Sequence, residues 1–217
     1  LHHAAKMLKA LKAREIDVIG LKGIYLVENI YDNVAARPFG DIDIMVNKED
    51  LKKTIDILNE LGYAMTTYFE VADENLDIKH VPPMFNDEGL PIEIHWTILE
   101  EDEPFTIDAQ GLWDRAVHAS IAGVDALALS PEDLILHLCL HLGYQHHLKL
   151  GLRGLYDIAK VLEHYKGHVD WTKLVEISKT WGSERVTWLS LMLTEDLLGA
   201  QIPPMILEYL QPKEAAP

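Results

Sequence analysis

The residues best suited to chemistry stand in two short alternating patterns, Asp41-Ile42-Asp43-Ile44 and Ile92-Glu93-Ile94-His95. In an extended strand, residues two apart project to the same side. Asp41 and Asp43 therefore share one face, with Ile42 and Ile44 on the other, and Glu93 shares its face with His95. If the two strands are neighbours in one sheet, three carboxylates converge on one spot. Carboxylates that close repel unless a cation or proton lies between them. Mg²⁺ takes hard oxygen ligands of this kind and completes its octahedron with water and phosphate oxygens. Alone, Asp-x-Asp is the ordinary pattern of a solvated strand face. Its surroundings shift the weighting. The tight loop Arg37-Pro38-Phe39-Gly40 runs directly into the pair, and Leu21-Lys22-Gly23 sits upstream at a strand-to-helix junction. A glycine there lets backbone approach a phosphate, and the following helix N-terminus offers free N–H groups to an anion.

The elements that must hold these residues follow from periodicity. Residues 1–15 have Leu1, Ala5, Leu8 and Leu11 near helical spacing, and 16–21 form a short apolar run expected to be a strand. A helix is expected over 24–31, a loop over 32–40 where Pro and Gly interrupt any regular element, and a strand over 41–46. Asn47 is placed to cap a helix over 48–61, with Gly62 to end it. Strands at 63–71 and 77–84, a turn at Asn86-Asp87-Glu88-Gly89 and a strand at 92–96 complete an α/β half. Beyond about residue 102 the pattern turns helical. A helix near 108–116 and a hairpin around Ala122-Gly123 come first, and Ser130-Pro131-Glu132-Asp133 opens a helix with serine at the cap and proline in the first turn. Helices are expected over 131–147, 151–165, 171–181 and 184–198. The fold class is α+β.

Three blocks together, Leu21-Lys22-Gly23, Arg37-Pro38-Phe39-Gly40-Asp41-Ile42-Asp43-Ile44-Met45-Val46 and Ile92-Glu93-Ile94-His95-Trp96, resemble the polymerase-β-like nucleotidyltransferase superfamily, in the branch whose loop reads Leu-Lys-Gly. Leu129-Ser130-Pro131-Glu132-Asp133-Leu134 and Leu152-Arg153-Gly154-Leu155-Tyr156-Asp157-Ile158-Ala159 extend the likeness through most of the chain. The resemblance implies a nucleotidyltransferase domain over 1–102, a mixed sheet flanked by helices, and a mostly helical domain over 103–217 that completes the cleft. It implies transfer of a nucleoside monophosphate from a nucleoside triphosphate, ATP first, to an acceptor hydroxyl, with release of pyrophosphate. Two ions, Mg²⁺ or Mn²⁺, would be held by Asp41 and Asp43, with Glu93 as the third carboxylate that helps activate the hydroxyl. Lys22 and Gly23 would cradle the triphosphate, and Arg37 would neutralise phosphate charge. The chain departs from the wider pattern at two points: Ile24 follows Gly23 where Ser or Gly is usual, and Glu93 stands where Asp is commoner. The alternative in another class is a non-catalytic nucleotide-binding module with the same fold.

Composition narrows the partners. The formal net charge of the 217 residues is -16, and no basic stripe is visible of the kind that grips nucleic acid through its phosphates. This favours a small-molecule or protein acceptor over an RNA end. No stretch approaches the roughly 18 apolar residues that span a bilayer. The opening Leu1-His2-His3-Ala4 lacks a signal pattern, and its want of a methionine leads us to expect residues upstream. The single cysteine, Cys139, lies in an apolar run and reads as a small buried hydrophobe in a reducing compartment, so a cytoplasmic location is expected.

Further residues invite a functional reading. His80, on an expected strand, could touch phosphate or be an ordinary strand residue. Arg153 could meet nucleotide or acceptor, or pair with Asp157 one turn along its helix. His137 and His141, with His146 and His147 close behind, have a spacing that can bind zinc. The glutamate of a zinc-protease motif is missing, since Leu138 follows His137, and these histidines are expected to line the junction between the halves.

Overall fold

The computed structural model describes residues 1–67 and 79–212. These divide into two compact units, one of residues 1–103 with 109–129, the other of 104–108 with 130–217.

The first unit is built on a seven-stranded mixed sheet of spatial order β3-β4-β5-β2-β1-β7-β6. Its strands are β1 (Ile19–Gly20), β2 (Ile42–Met45), β3 (Ala64–Met65), β4 (Met84–Phe85), β5 (Pro91–His95), β6 (Val117–Ile121) and β7 (Val124–Ala128). At its centre β2 and β5 run parallel, with Ile42 opposite Ile92, Asp43 opposite Glu93 and Ile44 opposite Ile94. The four isoleucines are at most 2% exposed, so one face of this pair is sealed by apolar packing. That burial fixes the register, because a one-residue shift would send the isoleucines to the acidic side. On the other flank β1 pairs antiparallel with β2 and parallel with β7, which closes a hairpin with β6.

Helix α1 (His2–Lys12) packs on β7 and on α3 (Leu51–Glu60), while α2 (Lys22–Asn29) packs on β2 and β6. Helix α4 (Ala109–Asp114) precedes the β6–β7 hairpin. Of the run 16–21 only Ile19–Gly20 enters the ladder, although Val18 already accepts a hydrogen bond from Leu127 N–H. Asn47 makes no side-chain cap bond: a 3₁₀ turn, Lys48–Asp50, intervenes before α3. The expected strand over 63–71 is short where it is described, and residues 68–78, including the start of the expected strand over 77–84, lie outside the described residues.

The second unit is helical, with α5 (Pro131–Leu140), α6 (Leu152–His164), α7 (Trp171–Trp181), α8 (Glu184–Leu198) and α9 (Pro204–Leu210). Helix α5 packs against α6, α7 and α8. Ser130 caps it as expected, accepting from Asp133 N–H, with Pro131 in the first turn. The helix expected over 131–147 stops at Leu140 and continues as one π turn, His141–Gln145. Gly143 lies in that turn against α8, where an added Cβ would fall 2.4 Å from Val186 Cγ2. Cys139 is fully buried, and burial pushes its thiol up to about 12. Among the described residues, no helix is long and apolar enough to cross a membrane.

Candidate active site

The register of β2 and β5 sets Asp43 beside Glu93, on the side away from the isoleucines. Two residues beyond Glu93 on the same face stands His95. Its ring is 2% exposed, with Nε2 3.1 Å from Asp43 Oδ1 and 3.5 Å from Glu93 Oε2. One ligand atom from each of Asp43, Glu93 and His95 lies within 4.8 Å of the others, the grouping of this kind among the described residues. This mixed oxygen–nitrogen set fits a divalent ion.

Asp41 precedes β2, half-buried and outside that grouping, but close enough to feel both carboxylates. Burial and the charge of Asp43 push its carboxyl up, with Lys22 opposing and Glu93 adding to the rise. For Asp43 the balance is reversed. Burial, the largest influence, favours the neutral acid, yet the Lys22 ammonium and the His95 ring together hold the carboxyl well below the usual range. Glu93 is also held low, first by its hydrogen bond from His95, against burial and the charge of Asp43.

Lys22 Nζ lies 2.7 Å from Asp43 Oδ1. Its backbone has a φ of 41°, in the left-handed region that a non-glycine residue adopts at a cost of about 1 kcal/mol. Strain of this sort gathers where a side chain must be aimed. Leu21 N–H, just before it, bonds to Asp43 carbonyl, tying the start of α2 to the acidic strand. Gly23 also meets a packing demand that its sequence context does not suggest. An added Cβ would come within 2.9 Å of Phe39 Cβ and 3.0 Å of Arg37 Nη1. The 37–40 loop thus packs directly on this glycine, with Arg37 only 7% exposed against the helix start.

His80 bridges to His95 across an isolated antiparallel pair, with ring centroids 4.9 Å apart. Burial lowers its pKa, and its Nδ1 lies 2.7 Å from the carbonyl of Val81. Two residues were missed by sequence reasoning. His95 was visible as the face-mate of Glu93 but was given no role. Lys79 lies near enough to Lys22 and Glu93 for their charges to reach it, and burial lowers its pKa. A lone lysine next to a strand carries no pattern that could have marked it. Arg153 is exposed on α6 of the second unit, whereas Asp157, one turn along the same helix, is buried. His137, His141, His146 and His147 form no grouping of metal-ligating atoms among the described residues.

No curated protein matches the sequence significantly. Among solved structures, the crystal structure of ANT(2")-Ia in complex with adenylyl-2"-tobramycin aligns with a TM-score of 0.57 at 14% identity, covering 84% of this chain and 96% of that one. The solution structure of the antibiotic-resistance factor ANT(2'')-Ia aligns with a TM-score of 0.56 at 15% identity, covering 89% and 95%. At such identities the likeness speaks for the fold. The sequence itself matches the family described as uncharacterised nucleotidyltransferase over residues 1–199, nearly the whole chain. The chain belongs to this uncharacterised nucleotidyltransferase family.

Proposed function

We propose that the protein transfers a nucleoside monophosphate, from ATP first among the triphosphates, to a hydroxyl of a small molecule. The observation that carries this reading is the register that sets Asp43 beside Glu93, with the Lys22 ammonium on Asp43 and Arg37 packed at the start of α2. In this reading Asp41, Asp43 and Glu93 hold the divalent ions. Bound there, such ions lower the pKa of an attacking hydroxyl and neutralise charge on the phosphates. Lys22, tethered by its strained backbone, turns from Asp43 to the triphosphate, and Arg37 adds a second positive charge. Glu93, held ionised by His95, accepts the acceptor's proton. The rest is positioning and charge complementarity, which suits a site with little covalent chemistry of its own.

A small acceptor is favoured by the net charge of -16, which works against a polyanion, and by the structural neighbour seen in complex with adenylyl-2"-tobramycin. Ile24 favours a second reading, a nucleotide-binding module without catalysis. Its side chain is fully buried in the core, so the loop offers no hydroxyl to phosphate at that position. Incubation with Mg²⁺ or Mn²⁺, each labelled triphosphate and a panel of hydroxyl compounds, proteins and tRNA separates the two. Acceptor-dependent pyrophosphate release, lost in Asp43→Asn, supports transfer. Triphosphate binding with no release under any condition sinks it in favour of the module.

A further inference from the structure

We propose that His95 is a metal ligand alongside Asp43 and Glu93, and that this mixed site prefers Mn²⁺ to Mg²⁺. The inference rests on the reading of this pocket as a divalent-ion site for nucleotidyl transfer, and refines which ion the pocket selects.

The first ground is spacing. With metal–ligand distances of about 2.0–2.2 Å, neighbouring donors on an octahedron stand about 3 Å apart. His95 Nε2 is 3.1 Å from Asp43 Oδ1 and 3.5 Å from Glu93 Oε2, so the imidazole nitrogen stands at about this spacing from each carboxylate.

The second ground is the ring itself. His95 is 2% exposed, and its Nδ1 has no hydrogen-bond partner among the described residues. A buried imidazole usually has one nitrogen fixed as donor by a carbonyl or carboxylate, which settles the role of the other. Nothing on the Nδ1 side locks the tautomer here. Without an ion the proton sits on Nε2, shared with the two carboxylates; an ion entering between them would displace it to Nδ1 and take the Nε2 lone pair.

The third ground is ligand preference. Mg²⁺ takes oxygen donors almost exclusively, whereas an imidazole nitrogen suits first-row transition ions, and carboxylates suit Mn²⁺ as well as Mg²⁺. Two carboxylates and one imidazole are therefore a set that Mn²⁺ satisfies better. The rival role for His95 is a brace, one N–H donated to Asp43 with Glu93 close by. A brace affects every ion alike. A ligand does not.

The test is metal binding by the intact protein with no nucleotide present. Mn²⁺ affinity is followed by electron paramagnetic resonance, and Mg²⁺ affinity by competition, for the parent, His95→Gln and Asp43→Asn. Glutamine keeps an amide N–H able to brace Asp43 but removes the imidazole nitrogen. The expected result is Mn²⁺ bound at least about tenfold more tightly than Mg²⁺ by the parent. His95→Gln should lose about tenfold for Mn²⁺ with Mg²⁺ little changed. Spin-echo modulation from a directly bound imidazole nitrogen should be present in the parent and absent in His95→Gln. The parent spectrum needs no variant, so the test survives a misfolded substitution. Bound Mn²⁺ without nitrogen modulation in the parent, or equal weakening of both ions in a folded His95→Gln, overturns the proposal. Failure of Mn²⁺ to bind the parent more tightly than Asp43→Asn overturns it too. If the nitrogen signal is present while no triphosphate is ever turned over, the transferase reading falls and the ligand assignment stands.

Discussion

Lys22 Nζ lies 2.7 Å from Asp43 Oδ1, and the same oxygen lies 3.1 Å from His95 Nε2. The most buried carboxylate of the site thus carries its compensating charge and hydrogen bond from two different elements. At Asp41, two residues earlier, the opposing charge of Lys22 is outweighed by burial and the acidic neighbours, and the two aspartates should answer substitution with opposite signs.

Asp43→Asn should abolish turnover, with a loss of at least about 10³-fold, since it removes the carboxylate at the centre of the cluster. It should also leave Lys22 facing a neutral amide in a setting where its side chain is only 12% exposed. Breaking a pair of this kind costs about 3 kcal/mol. Pyrophosphate release and urea unfolding check the two halves separately, and appreciable turnover by the folded variant would remove Asp43 from the mechanism.

Asp41→Asn should lose activity but gain stability at neutral pH. The raised pKa of Asp41 means that its favourable contribution to folding is complete below the unfolded value of about 3.9 and is lost as pH climbs through the folded value. Above that, its ionised form is a net repulsion. Asp43 and Glu93 are depressed and run the other way, contributing above the ordinary carboxylate range and losing their share as pH falls. The melting temperature of Asp41→Asn should exceed that of the parent by about 2 °C at pH 7, with the difference gone below about pH 4. A lower melting temperature at pH 7 would contradict this reading.

Lys22→Met should weaken triphosphate binding and free Asp43 to titrate nearer its ordinary range. Because less stability then hangs on that ionisation, the decline of stability between about pH 4 and pH 2 should become shallower than in the parent. A series of urea titrations across that window measures it. An unchanged slope would show that His95 alone keeps Asp43 ionised.

Gly23→Ala should destabilise the protein by about 1–3 kcal/mol, because its methyl group meets Phe39 Cβ and the Arg37 guanidinium rather than open space. Displacement of the 37–40 loop should raise KM for the triphosphate more than it lowers kcat. Equal stability of parent and variant would show that the loop yields freely.

The central strands could be read in advance because the alternation of acid and isoleucine states both which residues are extended and which face is buried. The same alternation puts His95 two places past Glu93 on its face, but a single histidine there carries no pattern of its own that marks a role. Lys22 was placed in the site, but its left-handed backbone was not foreseeable, since the Gly23 beside it looked the natural holder of any unusual φ. The π turn was hidden for another reason. His137, His141 and their neighbours continue at helical spacing through Gln145, so nothing in the order of residues marks the change of winding. The Arg153–Asp157 pair looked sound on a helical wheel, but Asp157 faces inward and Arg153 outward.

The pairing of β2 with β5 has a consequence for mistakes during assembly. A slip of one place would put Ile92 or Ile94 where Glu93 belongs and thrust the acid among Ile42 and Ile44. Grease on the hidden side therefore proofreads the chemistry on the open side. A change such as Ile94→Thr, on the face opposite the acids, would erode catalysis by letting misaligned chains survive.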